Sequence, residues 1–174
     1  VLGLIAFCGC GGLVLMAAVL FPVFAQARNA AIRNRSLSNL NLIGVAAQIY
    51  SSDNGDRLPL AENWQDALSV YRINESGSLN GGPVERKTNI FLPPYPKNPG
   101  SYAMNSEMSG FKLSEVADPF RTILFFEAAP EGRNVQGGKE IVRKVESYFL
   151  AGMCDSTART FKHQGADLIK WKPK

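Results

Sequence analysis

Few residues in this sequence have the types and spacing that catalysis or metal binding requires. The clearest group is Asp53 and Asp56 in the stretch DNGD, where two carboxylates and the loop carbonyls suit a calcium ion. The stretch lacks the regular ligand alternation of a dedicated calcium loop, and a helix end followed by a turn explains it equally well. We keep Asp53 and Asp56 as weak calcium candidates and predict no other metal site.

The histidine and the cysteines do not form a reactive group in the sequence. His163 has no cysteine, serine or acid beside it in a motif, so we interpret it as a surface residue at a strand end. Cys8 and Cys10 are two positions apart in an apolar helix and point to different sides, and Cys154 is distant. All three are interpreted as small buried apolar residues. No phosphate-binding glycine loop and no Ser/His/Asp arrangement is found, so we predict neither an enzyme nor a cofactor.

Charge is distributed unevenly along the chain, although its formal total is only +4. Residues 1–52 contain Arg28, Arg33 and Arg35 and no acid, while the rest of the chain has 16 basic and 15 acidic side chains. Such a balance does not produce the positive surface that attracts phosphates, so no specific nucleic-acid binding is predicted. The three arginines indicate a solvated or headgroup-facing stretch.

The chain opens with an apolar run over residues 1–24. At about 1.5 Å per residue, a helix of this length measures about 36 Å, against about 30 Å for a bilayer core. A cleaved secretory signal is an alternative, since FAQA at 24–27 resembles a cleavage site, but the run exceeds the usual apolar region of about 7–15 residues. The arginines after the run would keep the following domain in the cytoplasm. A basic leader removed ahead of Val1 would reverse that orientation.

Small residues and one proline characterise this apolar helix. Gly9, Gly11 and Gly12 allow helices to approach closely, which favours a bundle of helices over a single lipid-exposed span. Pro22 predicts a kink or a local opening. Beyond it, apolar residues continue at helical spacing and predict a stripe that packs on a domain: Ile32, Leu37, Leu40, Ile43, Ala47 and Tyr50. Gly55 is the natural stop for the helix.

The remaining sequence predicts a small mixed α and β domain. A short helix is expected over residues 63–71 with Asn63 as its N-cap, followed by an irregular connection over residues 74–100. The apolar run RTILFFEA (121–128) predicts a central strand. Two further strands, joined at CDS (154–156), and a last short strand in DLIKW (167–171) are expected. The prediction is an antiparallel sheet of three to five strands.

Together these patterns predict an α+β fold, a long N-terminal helix spine packed on a small antiparallel sheet. We divide the chain into three parts. Residues 1–27 are the apolar helix, for a membrane anchor or filament core. Residues 28–54 are the amphipathic half of the same helix, and residues 55–174 are a globular head.

Residues 19–59 resemble the N-terminal region of type IV pilin-like proteins, a family that includes the pseudopilins of type II secretion. The match rests on LFPVFAQAR followed by LSNLNLIGVAAQIYSSDNGD, with looser similarity in SYAMN, LSEVADPFRTILFFEA and FLAGMCDSTARTFKH. The resemblance implies the pilin fold and places Val1 at the family's mature first residue. That residue is exposed by a prepilin peptidase, and its new amine is usually methylated. In the family, the stretch before the proline corresponding to Pro22 is often unwound in filaments.

One position departs from the family's pattern in a way that matters for assembly. Ile5 stands where the family normally has a glutamate, which is thought to pair with the N-terminal amine of a neighbouring subunit. Val1 is a milder departure, since phenylalanine is commoner there. Either backbone carbonyls at an opened helix segment meet the amine, or the chain is an unusual subunit, such as a tip or minor one.

The function expected from these features is that of a structural subunit that polymerises by its N-terminal helix into an extracellular or periplasm-spanning filament. Its partners would be further copies of itself, the prepilin peptidase and the pilus or secretion assembly machinery. Before assembly the helix would anchor it in the inner membrane with the head outside the cytoplasm, and afterwards it would lie on the cell surface. The alternatives are a membrane-anchored extracytoplasmic binding module and a minor tip pseudopilin of a secretion system.

Overall fold

The computed structural model describes residues 2–71, 89–95, 100–145, 148–162 and 169–174. In the first helix, side chains are described for Ala18 and from Leu20 onward. The chain divides into two compact units, residues 1–34 and residues 35–174. The boundary lies inside the first helix, so the second unit contains the last part of this helix together with the head.

Helix α1 runs from Leu2 to Asp53 and contains Pro22. The helix is continuous through Pro22 in the subunit. A proline removes only one backbone hydrogen bond, and the helix extends on both sides of Pro22. The predicted kink or local opening at Pro22 therefore stays a prediction. The predicted stop is confirmed, because Gly55 has a φ of 65° and the Asp56 N–H donates to the Ser51 carbonyl at 2.8 Å.

A short helix α2, Trp64–Leu68, continues into a 3₁₀ turn, Ser69–Tyr71. This confirms the predicted helix, but the predicted capping role of Asn63 is wrong, because its side chain makes no capping hydrogen bond. The backbone of Asn63 (φ −135°, ψ 20°) is not in the extended conformation typical of an N-cap. The Asn134 side chain performs this role, since its Oδ1 accepts from the Gln65 N–H at 2.8 Å. Of the predicted connection over 74–100, most lies outside the described residues.

Within the described residues, five strands form one sheet: β1 (Ser101–Asn105), β2 (Ile123–Ala128), β3 (Gln136–Gly137), β4 (Tyr148–Met153) and β5 (Ala158–Lys162). The order is β3-β1-β2-β4-β5, so β2 is the central strand, as its apolar sequence predicts. The strands β4 and β5 form the predicted pair. Three further 3₁₀ turns occur at Ser106–Met108, Leu113–Glu115 and Lys139–Ile141.

The sheet is mixed, which corrects the predicted antiparallel sheet. β1 pairs antiparallel with β2, β2 with β4 and β4 with β5, but β3 pairs parallel with β1. After β2 the chain crosses the start of β1, where the Ser101 hydroxyl donates to the Gly132 carbonyl at 2.9 Å. The chain then enters the sheet on the far side of β1, so β3 runs in the same direction as β1.

The end of the chain differs from the predicted last strand in DLIKW. Asp167 and Leu168 lie outside the described residues, as does His163. Lys170 forms a single parallel bridge with Thr122, and the chain makes no longer ladder in the described residues 169–174.

Each face of the sheet carries its own apolar core. On one face the second part of α1 packs with α2 and the sheet, and the fully buried members include Leu40, Ile43, Trp64, Met104 and Leu150. The other face holds a smaller cluster around Phe126 and Phe149, closed by Ile169 with Trp171 beside it. The predicted packing of the sheet on the second half of the helix is therefore confirmed within residues 35–174.

A register shift in β2 determines which side chains face the helix. The shift lies between Ile123 and Phe125 in the ladder with β4, and both Leu124 and Phe125 join the helix-side core. Side chains alternate along a strand, so Glu127 follows Phe125 onto that face. Tyr102 is its partner across the ladder with β1.

Candidate functional site

The calcium candidates lie at the end of α1. Asp53 is the last residue of the helix, and Asp56 follows in a turn with a φ of 66°. The Asp56 carboxylate accepts hydrogen bonds from the Ser114 hydroxyl and from the Ser114 N–H, the latter at 3.1 Å. These hydrogen bonds hold the pKa of Asp56 below its ordinary value. Within the described residues no three His, Cys, Asp or Glu side chains converge on a possible metal, and calcium stays a prediction.

The candidate assembly residues are concentrated in the first part of α1. Val1 lies outside the described residues, and nothing is described of the surroundings of Ile5, Gly9, Gly11 and Gly12. Four large apolar side chains that follow are exposed: Leu20, Phe21, Val23 and Phe24. Phe21 is 80% exposed and Phe24 is 69% exposed. Across the described ranges, none of the helices has the combined length and apolar character needed to traverse a bilayer.

A buried polar cluster, which the sequence did not predict, lies between α1 and the sheet. We call it the Glu127 cluster and define it by Ser36, Asn39, Tyr95, Tyr102 and Glu127. The carboxylate of Glu127 accepts from the Ser36 hydroxyl on Oε1 and from the Tyr95 hydroxyl on Oε2, the latter at 3.0 Å. The Ser36 and Tyr102 hydroxyl oxygens are 2.8 Å apart. Asn39 Nδ2 donates to the Tyr102 hydroxyl at 3.3 Å and to the Leu92 carbonyl at 3.4 Å.

This cluster contains an ionisable carboxyl at a position that is fully removed from solvent. Glu127 is completely buried, and removal from water raises the pKa of its carboxyl, an effect that exceeds the opposing hydrogen bonds from Ser36 and Tyr95 and the charge of Arg143. Burial also raises the pKa values of Tyr95 and Tyr102, so both hydroxyls stay protonated and can donate. The Arg143 guanidinium stacks over the Tyr95 ring, with 3.9 Å between Cζ and the ring centroid.

One signal in the sequence could have located this cluster. Glu127 is the only ionisable residue in the strand Ile123–Ala128, where every position is buried. Acids are rarely fully buried without partners, so a glutamate in such a strand predicts a polar neighbour from another element. Its partners are distant in the sequence, and nothing in their local sequence identifies them.

Cys154 is buried directly after β4, which confirms the prediction for this cysteine. Burial raises the pKa of its thiol to about 12, so the thiolate is scarce near neutral pH. Cys154 is therefore suited to packing and not to nucleophilic chemistry. The side chains of Cys8 and Cys10 lie outside the described residues.

A surface cavity of about 500 Å³ lies beside α2 and the start of β1. Two of its polar side chains have structural partners: the Ser101 hydroxyl bonds to the backbone of Gly132, and Arg133 forms an ion pair with Asp66. The hydrogen bond from the Asn134 amide and the interaction with Arg133 lower the pKa of Asp66. The cavity has no arrangement of nucleophile and base among the described residues that line it.

Comparison of the chain with protein-family models, curated proteins and solved structures gave no match.

Proposed function

We propose that this chain is a structural subunit of a helical filament, with the pilin fold, and that it polymerises through its N-terminal helix. The supporting observation is the exposed apolar stretch of Leu20, Phe21, Val23 and Phe24 within a continuous helix from Leu2 to Asp53. Each square ångström of apolar surface removed from water contributes about 25 cal/mol, so this stretch favours burial against lipid or against other copies. The resemblance of residues 19–59 to pilin-like proteins points in the same direction.

In this proposal the helix has two successive environments. It anchors the chain in the inner membrane with the head outside the cytoplasm, and it then enters the core of a filament on the cell surface. Both environments remove the same apolar side chains from water, so transfer of the helix from the membrane to the filament has a small net free-energy cost. The proposed partners are further copies of the chain, the prepilin peptidase that exposes Val1 and the assembly machinery.

Assembly of a double variant, Phe21→Ser with Phe24→Ser, tests the proposal. We expect it to abolish the sedimentable polymer formed by the wild type, because two large apolar contacts are lost between copies. The thermal unfolding temperature should stay unchanged, since both side chains are exposed in the subunit. The matched control is Ala31→Ser, another exposed helix position that should assemble normally. Normal assembly of the double variant would overturn the proposal.

A membrane-anchored binding module is the second candidate function, and Ile5 is the observation that favours it. An anchor needs no acid to pair with the amine of a neighbouring subunit, and residues 1–52 contain none. Under this alternative the full chain should bind a ligand saturably. Changing Gly9, Gly11 and Gly12 to Leu should leave that binding unchanged. The filament proposal expects that triple variant to lose assembly, because close helix contacts require small residues.

A further inference from the structure

The Glu127 cluster connects three parts of the unit formed by residues 35–174. Ser36 and Asn39 belong to α1, Tyr102 and Glu127 to neighbouring strands, and Tyr95 to the described segment 89–95. Side-chain hydrogen bonds that involve a hydroxyl, an amide or the carboxyl link these parts. The cluster thus joins the helix, the sheet and this segment through a single acid.

The hydrogen bonds of the cluster are compatible with an ionised carboxyl. The Tyr102 hydroxyl donates to Ser36 Oγ, and the Ser36 hydroxyl donates to Glu127 Oε1. Tyr95 donates to Oε2 from the other side. All the donors then point toward the acid, and the buried anion has two charge-assisted hydrogen bonds.

The same atoms also accommodate a protonated carboxyl, because the bond between Ser36 and Tyr102 can have either hydroxyl as donor. A protonated Glu127 donates to Ser36 Oγ, and the Ser36 hydroxyl donates to the Tyr102 oxygen. The Tyr102 hydroxyl then donates to the backbone carbonyl of Ser36, which lies 3.5 Å away. Reversing this chain of hydrogen bonds keeps each group partnered and needs no movement of the backbone.

The charged and titratable groups around the acid come from each element packed against it. Arg143 follows the last 3₁₀ turn, and its positive charge favours the carboxylate. Arg35 on α1 acts on Tyr102, and Tyr148 on β4 acts on Tyr95. Burial opposes the carboxylate more strongly than the hydrogen bonds from Ser36 and Tyr95 and the charge of Arg143 favour it, which raises the pKa of Glu127.

We propose that Glu127 is a proton-sensitive clamp that holds the helix and the Tyr95 segment against the sheet, tight when the carboxyl is protonated and weaker when it is ionised. Proton uptake replaces a buried anion by a buried neutral acid, while the reversed hydrogen bonds preserve the connection. This clamp lies within residues 35–174 and does not depend on whether the chain forms filaments.

The direction of the pH effect follows from the raised pKa of Glu127. The contribution of a protonated Glu127 to stability is fully present below the ordinary pKa of 4.5 and is lost as the pH rises through the higher folded-state pKa. Between these two values the ratio of folded to unfolded protein falls by up to about tenfold per pH unit.

Thermal unfolding of the full chain in a mild detergent, followed from pH 4.5 to pH 8, tests the clamp. We expect the wild type to lose stability with rising pH and Glu127→Gln to lose most of that pH dependence. The matched control is Glu131→Gln, an exposed acid in the loop after β2, which should follow the wild-type curve. Parallel curves for the wild type and Glu127→Gln would overturn the proposal.

Two further variants distinguish a proton-sensitive clamp from a cluster that only stabilises the fold. They should shift the pH at which stability is lost in opposite directions. Ser36 bonds Glu127 in both states, but its charge-assisted hydrogen bond to the carboxylate is the stronger one, so Ser36→Ala should shift the loss of stability to higher pH. Tyr102→Phe removes the oxygen that accepts from Ser36 in the reversed chain, so the loss should shift to lower pH. A shift in the same direction for both variants would contradict the proposal that these hydrogen bonds reverse when Glu127 takes up a proton.

A spectroscopic measurement replaces the variant test if Glu127→Gln does not fold. Infrared spectra of the wild type should show the carbonyl stretch of one protonated carboxyl that persists above the pH at which the other acids have ionised. Complete ionisation of all the carboxyls near their ordinary pKa values would refute a proton-binding Glu127.

Discussion

Both parts of helix α1 carry large apolar side chains, but the two parts differ in what covers those side chains. Leu20, Phe21, Val23 and Phe24 are exposed, whereas Leu40 and Ile43 are completely buried against the rest of the unit formed by residues 35–174. The buried part stabilises the subunit itself. The exposed part contributes little to the fold of the subunit, so its apolar residues require an explanation outside the single chain.

The largest effect expected from this comparison comes from placing the same charge in each part of the helix. Leu40→Asp would bury an unpaired carboxylate in the core, and we expect it to unfold a unit whose total stability is typically about 5–15 kcal/mol. Phe21→Asp should leave thermal unfolding unchanged, because its side chain is in water. Circular dichroism on both variants checks the prediction, and equal losses of stability would remove the distinction between the two parts.

A smaller effect is expected at Gly44, where the buried part of the helix approaches the turn after β4. A Cβ at Gly44 would lie 3.0 Å from Ser156 Cα, and Asn41 donates to the Ser156 carbonyl at 2.9 Å beside it. Gly44→Leu should therefore lower the free energy of unfolding by about 1–3 kcal/mol through overpacking. Chemical denaturation measures this loss. The exposed control Ala31→Leu should show almost none, and a comparable loss there would argue against overpacking.

The smallest effect is expected at the turn that ends the buried part of the helix. The lowered pKa of Asp56 means that its contribution to stability is present above the ordinary value of 3.8 and is lost as the pH falls through the folded-state pKa. Asp56→Asn should weaken this acid-induced loss slightly, with Asp66 and Glu140 still contributing because their pKa values are also lowered. Unfolding curves between pH 2 and about pH 5 test it. Ser114→Ala should reproduce part of the change, because the Ser114 N–H still donates to Asp56.

The sequence predicted the elements that local patterns encode. The helix end at Gly55, the central strand in RTILFFEA and the last strand pair all follow from turn chemistry and from runs of apolar residues. The parallel strand β3 did not, because two residues carry no pattern and their direction depends on the crossing over Ser101. Asn63 shows the same limit, since the partner that caps α2 is Asn134, distant in the sequence.

The site was harder to predict than the fold. Asp53 and Asp56 attracted attention because acids close in sequence resemble a ligand group, but the Asp56 carboxylate bonds Ser114, which no spacing rule reveals. The Glu127 cluster was missed because its members come from four separate stretches of the chain. The register shift in β2 directs Glu127 toward the helix, and such a shift depends on pairing with β4 and not on the sequence of β2 alone.

Negative-stain microscopy of material sheared from cells, with intact-mass analysis of the same sample, tests the filament proposal most directly. We expect long thin filaments whose subunit mass begins at Val1, with or without one methyl group. A membrane-bound monomer without filaments would contradict the account, and the exposed apolar stretch would then be assigned to the anchor alone.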